Sequence, residues 1–205
     1  MSLSAASDTL LIFVKTPRPG AVKTRLGKTL GHENAVVVYQ KLLAHTAKVV
    51  KPLPVEKVVW YGNQPPHSDR WVAIAHQRKA QNPEASLGTR MAKAFKTAFD
   101  QGRQRVVIIG SDCPELSSAL LKEAFTELKR HPVVIGPAAD GGYYLLGMQK
   151  PYPLFENIDW STDKVLRQTQ AKTQELGLKT HLLPTLHDLD HEKDLAKFPA
   201  YDPSN

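Results

Sequence analysis

A basic segment near the start of the chain has the composition of an anion-binding loop. Residues 15–26 carry four cationic side chains, those of Lys15, Arg18, Lys23 and Arg25. Two prolines and one glycine in the same stretch predict a rigid loop rather than a helix. Such a loop can present cations and backbone N–H groups to a diphosphate, although it lacks the glycine pattern of a Walker A loop. A basic surface loop without a ligand is the alternative interpretation.

Two aspartates are candidate ligands for Mg²⁺ or Mn²⁺. Asp112 closely follows the apolar run 106–109, where an unpaired carboxylate is costly and a divalent cation would neutralise it. Capping of the following helix is the competing explanation for Asp112. Asp190 lies in the acidic segment 187–195, which is either a solvated turn or the source of a second carboxylate for the same cation.

Two further segments combine glycine or an aromatic ring with polar groups. Asp140-Gly141-Gly142 is a strong hairpin-turn signal, but two glycines also let the backbone approach a ligand closely. Asp140 would then accept hydrogen bonds from sugar hydroxyls or act as a general base. Trp160 precedes two hydroxyl side chains at a predicted helix start, where helix capping explains the hydroxyls equally well.

Short apolar runs alternate with amphipathic patterns along the chain, which predicts an α/β fold with a mainly parallel sheet. Strands are predicted over residues 10–14, 58–61, 106–109, 133–135, 143–146 and 181–183. Helices are predicted over residues 32–50, 87–99, 120–128 and 162–176. In such sheets ligands bind beyond the carboxyl ends of the strands, and the candidate residues follow predicted strands there.

The composition predicts one folded domain. The 205 residues include 41% hydrophobic and 23% charged types, which excludes a disordered chain. The net charge of +7 attracts anions, but no basic stripe interleaved with aromatic residues is present, so nucleic acid is not an expected partner. The single cysteine, Cys113, excludes an internal disulfide framework and is interpreted as a buried filler rather than a nucleophile.

The sequence contains no signal for a membrane. No apolar run approaches the roughly 20 residues that a membrane span needs. The first residues lack a basic region ahead of the apolar stretch, so they are not interpreted as a signal peptide. A soluble cytoplasmic protein is therefore expected.

Together these segments resemble the GT-A, or nucleotide-diphospho-sugar transferase, superfamily. Within it the chain is most similar to a bacterial family of uncharacterised glycosyltransferases, some of them linked to arsenosugar biosynthesis. The resemblance rests on residues 15–26, 87–91, 110–114, 136–147, 160–162 and 188–190. It implies a single three-layer α/β/α domain over residues 1–205, with a Rossmann-like sheet and a core at about residues 10–196.

The resemblance also implies which residues bind the nucleotide. The loop that begins at Lys15 would hold the base and the phosphates. Lys23 and Arg25 would contact the phosphates, and Arg90 would join them. Trp160, which belongs to a matched segment, is assigned to the substrate side.

A metal site is implied in the same way. Asp112 takes the place of the superfamily's metal-binding Asp-x-Asp motif, whose second aspartate is replaced here by Pro114. Asp190 would complete a site for Mg²⁺ or Mn²⁺. The segment Asp140–Gly142 would line the acceptor or sugar side of the cleft.

The implied activity is transfer of a sugar from a nucleotide-diphosphate donor to a small-molecule acceptor, with a divalent metal stabilising the leaving diphosphate. Nucleotidyl transfer is an alternative, because Lys23–Leu26 also resembles the 2-phospholactate guanylyltransferases. A non-catalytic nucleotide-binding protein is a third reading, since the second local aspartate is missing. The sequence leaves the nucleobase, sugar, acceptor, stereochemical course and oligomeric state open.

Overall fold

The computed structural model describes residues 7–204 of the chain, and a central sheet organises them. The strands are β1 (Asp8–Val14), β2 (Glu56–Tyr61), β3 (Gln77–Ala80), β4 (Arg105–Ile109), β5 (Val133–Pro137), β6 (Tyr143–Met148) and β7 (Thr180–Leu182). The α-helices are α1 (Thr24–Leu30), α2 (His32–Val50), α3 (Leu87–Asp100), α4 (Ser118–Glu127) and α5 (Val165–Glu175). Two short 3-10 helices follow at Glu192–Ala196 and Pro199–Tyr201.

The sheet has the strand order β3-β2-β1-β4-β6-β5-β7. Neighbouring strands are parallel except at β6, which runs antiparallel to both β4 and β5. The predicted α/β architecture with a mainly parallel sheet is therefore confirmed. Because β1 and β4 are adjacent and parallel, the loops after their carboxyl ends emerge side by side.

Helices cover both faces of the sheet, which explains why its central strands are apolar without interruption. On one face Leu10 and Ile12 of β1 belong to a core that also contains Leu42 of α2. On the other face Leu11 belongs to a second core that contains Phe95 of α3. Successive side chains of a strand point to opposite faces, so one apolar run supplies both cores.

The basic segment predicted as a loop ends in a helix. Lys23 adopts left-handed backbone dihedrals, φ 44° and ψ 47°, and α1 begins directly after it. The prolines and the glycine that predict a loop all precede Lys23, so they do not oppose this helix. Gly31, with φ 86°, then separates α1 from α2 in a conformation that glycine adopts at little cost.

Other differences from the sequence-based expectations are small. Strand β3 has no predicted counterpart, because its polar sequence is half-buried at the edge of the sheet. The helix predicted over residues 162–176 begins at Val165 and ends at Glu175. Residues 1–6, on which the signal-peptide interpretation partly rests, lie outside the described residues. Over residues 7–204, no helix has the length and apolar character that a membrane crossing requires.

Candidate active site

A cleft of about 600 Å³ opens at the carboxyl ends of β1 and β4. Its walls include the loop after β1, the residues after β4 and the acidic segment that follows β7. The sequence-predicted residues that line it are Lys15, Lys23, Arg25, Arg90, Asp112, Asp140, Gly142, Trp160 and Asp190. Gly141 lies in the same turn as Gly142 but is not among the lining residues, and a Cβ added at Gly141 would meet the backbone of Asp163.

A buried lysine joins two of the predicted carboxylates. The Nζ atom of Lys23 lies 2.9 Å from Asp112 Oδ1 and 2.9 Å from Asp190 Oδ1. The Lys23 side chain is only 3% exposed, so water screens its charge weakly. Burial by itself lowers the pKa of Lys23, but Asp112 and Asp190 outweigh it and raise that pKa above its ordinary value. The ammonium therefore stays charged and holds the two carboxylates together.

Backbone contacts bring these three residues to one place. Lys23 occupies the N-cap position of α1 in the left-handed conformation, which directs its side chain differently from a helical residue. The Leu189 N–H donates to the Asp112 carbonyl oxygen at 3.2 Å, which aligns the acidic segment with the end of β4. The Asp190 N–H donates to Asp194 Oδ2 at 3.0 Å, which fixes the segment from its other side.

Helix capping does not account for Asp112. Ser117, rather than Asp112, caps α4, and its side chain accepts a hydrogen bond from the Leu120 N–H. The N-cap residue of α5 is Lys164, and Thr162 Oγ1 accepts a hydrogen bond from the Lys164 N–H at 3.2 Å, so this hydroxyl stabilises the turn that leads into the helix. Asp112 is thus left as an acidic side chain whose described partner is the lysine ammonium.

Asp188 also belongs to this site, although it is not among the sequence-predicted ligands. Burial and then the charge of Asp112 raise the pKa of Asp188 to about 7, against the opposing effect of Lys23. Asp140 and Asp190 act in the same direction as Asp112. The sequence signal that could have identified Asp188 is the alternation of acids at positions 188 and 190, since residues two apart in an extended segment point to the same side.

Asp112, Asp188 and Asp190 supply carboxylates to one cleft, but among residues 7–204 their oxygens do not form a preassembled three-ligand cluster, so a divalent cation would have to draw them together. Carboxylate oxygens are the ligands that Mg²⁺ and Mn²⁺ prefer. Burial first, and then the negative charge of Asp112, raises the pKa of Asp188, and a bound cation would offset the part that is due to charge. Arg25 Nη1 lies 3.7 Å from Asp190 Oδ2, and its side chain is 58% exposed. Its guanidinium is therefore accessible to an anionic ligand at the mouth of the cleft.

Tyr39 of α2 connects the loops that follow β1 and β4. Its hydroxyl accepts a hydrogen bond from the Lys15 N–H at 2.8 Å and lies 3.0 Å from Ser111 Oγ. Burial and then the charge of Asp112 raise the pKa of Tyr39 to about 12, so its hydroxyl stays protonated at neutral pH. Its helical spacing is that of a core residue, so the sequence does not distinguish this role.

The opposite wall of the cleft is held by Arg90 and Trp160. Arg90 Nη1 donates to Gln81 Oε1 at 3.0 Å, and Gln81 Nε2 donates in turn to the Trp60 carbonyl oxygen at 2.8 Å. Burial lowers the pKa of Arg90. The indole of Trp160 packs so closely on α3 that a Cβ added at Gly88 would lie 2.5 Å from its Nε1. Both side chains are therefore fixed in position.

The Asp140-Gly141-Gly142 segment forms the turn between β5 and β6. These strands are antiparallel, and Asp140 Oδ1 accepts a hydrogen bond from the Gly142 N–H at 2.9 Å, so the hairpin interpretation is confirmed. Asp140 also lines the cleft, which means that the turn presents its carboxylate at the rim.

Cys113 is buried, and burial raises the pKa of its thiol to about 12, which is the behaviour of a core residue.

Comparison with known proteins identifies the family. Residues 45–162 match a family described as an uncharacterized protein conserved in bacteria, DUF2064. A solved structure from Desulfovibrio desulfuricans G20, provisionally named a nucleotide-diphospho-sugar transferase, shares 33% identity with a TM-score of 0.81. That match covers 90% of this chain and 82% of the other. A search of curated proteins finds no significant match.

More distant structures share the fold alone. The 4-diphosphocytidyl-2C-methyl-D-erythritol synthase from Anaerococcus prevotii DSM 20548 is 12% identical with a TM-score of 0.60, covering 97% of each chain. The inositol-1-phosphate CTP transferase from T. maritima is 14% identical with a TM-score of 0.56, covering 97% of this chain and 95% of the other. The chain therefore belongs to the DUF2064 family of bacterial proteins and has the nucleotide-diphospho-sugar transferase fold.

Proposed function

We propose that this protein is a glycosyltransferase that binds a nucleotide-diphosphate sugar with Mg²⁺ or Mn²⁺ and transfers the sugar to a small acceptor. The observation that carries the proposal is the meeting of Lys23 with Asp112 and Asp190 at the carboxyl ends of adjacent parallel strands. A site for a polyphosphate and its cation needs positively charged groups for the phosphates and carboxylates for the cation, close to one another. The name of the 33% identical relative supports the same class of donor.

The acidic residues and the basic residues have separate tasks in this proposal. Asp112, Asp188 and Asp190 would hold the cation, whose charge would stabilise the diphosphate as it leaves. The resemblance implies that Lys23 contacts the phosphates, but its ammonium is paired with Asp112 and Asp190, so we assign it instead the role of holding these carboxylates together before a ligand binds. Arg25, which is largely exposed, would bind phosphate oxygens directly.

The remaining lining residues would contact the donor and the acceptor. Arg90 and Trp160 face the cleft from the wall opposite the acidic segment, in positions fixed by their own contacts, and would bind the nucleotide sugar. Lys15 would contribute its charge from the loop after β1. Asp140, at the rim, would accept a hydrogen bond from a sugar or acceptor hydroxyl, or take its proton.

Nucleotidyl transfer is the second candidate function. A nucleoside triphosphate and its cation require the same charges, and Lys23–Leu26 resembles the corresponding segment of the 2-phospholactate guanylyltransferases. The two reactions differ in their products, because sugar transfer releases a nucleoside diphosphate and nucleotidyl transfer releases pyrophosphate. A non-catalytic nucleotide-binding protein would release neither.

The test is a panel of nucleotide sugars and nucleoside triphosphates incubated with the protein and Mn²⁺, with both products assayed. Release of a nucleoside diphosphate, lost in the Asp112→Asn variant, is the expected result. Asp100→Asn is the matched control, since Asp100 pairs with Lys96 on the exposed face of α3. Pyrophosphate release would replace the proposal with the second candidate. Binding without either product, even with acceptors supplied, would leave a nucleotide-binding protein.

A further inference from the structure

A second group of metal-binding side chains lies away from the cleft, toward the amino end of β5. Glu127 is the last residue of α4, and His131 follows it four residues later, just before β5. His181 belongs to the edge strand β7, where it pairs with Val134 of β5. Since the cleft is at the carboxyl ends of the parallel strands, this group shares no residue with it.

The three side chains converge on one point. His131 Nδ1 lies 3.0 Å from Glu127 Oε2, and His181 Nδ1 lies 3.7 Å from the same oxygen. One ligand atom from each side chain can be chosen so that all three lie within 4.8 Å of one another. Two ligands placed about 2.0 Å from a tetrahedral Zn²⁺ are about 3.3 Å apart, so small side-chain shifts would complete this geometry.

The imidazole rings themselves are close to each other, with centroids 5.2 Å apart. Two imidazoles and one carboxylate are a ligand set that Zn²⁺ accepts, with one coordination position left for water. Binding would cost the weak 3.3 Å contact between His131 Nδ1 and the Glu127 carbonyl oxygen.

A second carboxylate stands behind one of the histidines. Glu123 Oε1 lies 3.9 Å from Nε2, the other ring nitrogen of His181, which is beyond hydrogen-bond distance. A histidine that binds a metal through one nitrogen usually donates the proton of the other to a carboxylate, which fixes the tautomer. Glu123, one turn before Glu127 on α4, would take that role after a side-chain shift of about 1 Å.

We propose that Glu127, His131 and His181 form a site for Zn²⁺ that ties the end of α4 to the edge strand β7. Imidazole ligands favour Zn²⁺, whereas Mg²⁺ prefers oxygen, so the site differs in chemistry from the carboxylates of the cleft. The side chains are 15% to 30% exposed, so they are accessible to an ion while held by the surrounding fold.

The test is calorimetric titration of the metal-free protein with Zn²⁺ in a large excess of Mg²⁺, which occupies oxygen-only sites. One Zn²⁺ per chain is expected, with binding lost in His131→Gln and His181→Gln and weakened roughly tenfold in Glu123→Gln. His67→Gln is the control, because His67 is an exposed histidine outside the cluster. Circular dichroism and melting temperature identify any variant that has failed to fold.

Two further outcomes separate this site from the cleft. Zn²⁺ binding is expected to persist in the Asp112→Asn variant, whether or not that variant loses nucleotide binding. Cobalt substitution should give the intense visible absorption of a tetrahedral ion, and His181→Gln should abolish it. The proposal is overturned if wild-type protein binds no Zn²⁺, or if His131→Gln and His181→Gln both bind it as tightly as wild type does.

Discussion

Replacing the buried ammonium of Lys23 by an apolar side chain of similar length tests the electrostatics of the cleft. In Lys23→Met the carboxylates of Asp112, Asp188 and Asp190 lose their buried counter-charge. Removing one partner of a fully buried ion pair costs about 3–5 kcal/mol. Because Asp112 and Asp190 are 52% and 35% exposed, water screens part of this loss, and about 2 kcal/mol is expected.

The assay is thermal and urea unfolding at constant ionic strength. A loss of about 2 kcal/mol in a chain of this size lowers the melting temperature by about 4–8 °C. The pKa of Lys23 is raised in the folded state, so its stabilisation is fully present below the ordinary lysine pKa and is lost only as pH rises through the folded value. Measurements between pH 7 and pH 9 therefore capture the whole effect, because these values lie about 1.5 to 3.5 units below the ordinary lysine pKa.

Two comparison variants make the result specific. Lys96→Met removes an ammonium that pairs with Asp100 at 2.7 Å on an exposed helix face, and a change below about 0.5 kcal/mol is expected. The double variant Lys23→Met/Asp190→Asn should recover part of the loss, because one of the repelling carboxylates is gone. If Lys23→Met is as stable as Lys96→Met, the ammonium does not hold the acidic residues together and the reasoning fails.

Three other changes test the surroundings of the site. The pKa of Asp188 is raised to about 7, so its carboxyl stabilises the fold below about pH 4 and loses this effect as pH rises through about 7. Asp188→Asn should therefore be more stable than wild type above pH 7, by about 2 kcal/mol after screening, as measured by urea unfolding. Gly141→Ala should lower stability by about 2 kcal/mol or more, because φ is +89° and the added methyl meets the Asp163 backbone. Gly88→Ala should lower the melting temperature by a few degrees, since its methyl displaces the indole of Trp160.

The controls for these variants come from matched positions. Asp100→Asn removes an exposed carboxylate outside the cleft and should change the free energy of unfolding by less than about 0.5 kcal/mol above pH 7. Gly102 also has a positive φ, 79°, but has no atom near its added Cβ. Gly102→Ala therefore measures the backbone strain alone, and a loss in Gly141→Ala no larger than this would contradict the proposed clash.

Much of the fold follows from the sequence because the sheet is covered on both faces. Buried strands such as β4 contain continuous apolar runs, and the turn at Asp140 has its own glycine signal. The edge strand Gln77–Ala80 gives no such pattern, since edge position and half-burial tolerate polar side chains. The sequence does not predict the start of α1, because the prolines that precede Lys23, Pro17 and Pro19, indicate a loop.

The site is predictable only as far as topology allows. The rule that ligands bind at the carboxyl ends of parallel strands places the basic loop and Asp112 at one edge of the sheet. It does not indicate that Lys23 and Asp190, which are 167 positions apart, share a hydrogen bond. The raised pKa of Asp188 depends on burial and on like charges from separate segments of the chain, so no local sequence pattern predicts it.

The central claim is that one pocket binds a polyphosphate and a divalent cation between the basic loop and the acidic segment. A crystal grown with Mn²⁺ and a nucleoside diphosphate tests it directly, because anomalous scattering locates the manganese. The expected result is a manganese peak between Asp112 and Asp190, with the diphosphate bound to it and to Arg25. A manganese or nucleotide position elsewhere on the molecule would contradict the claim.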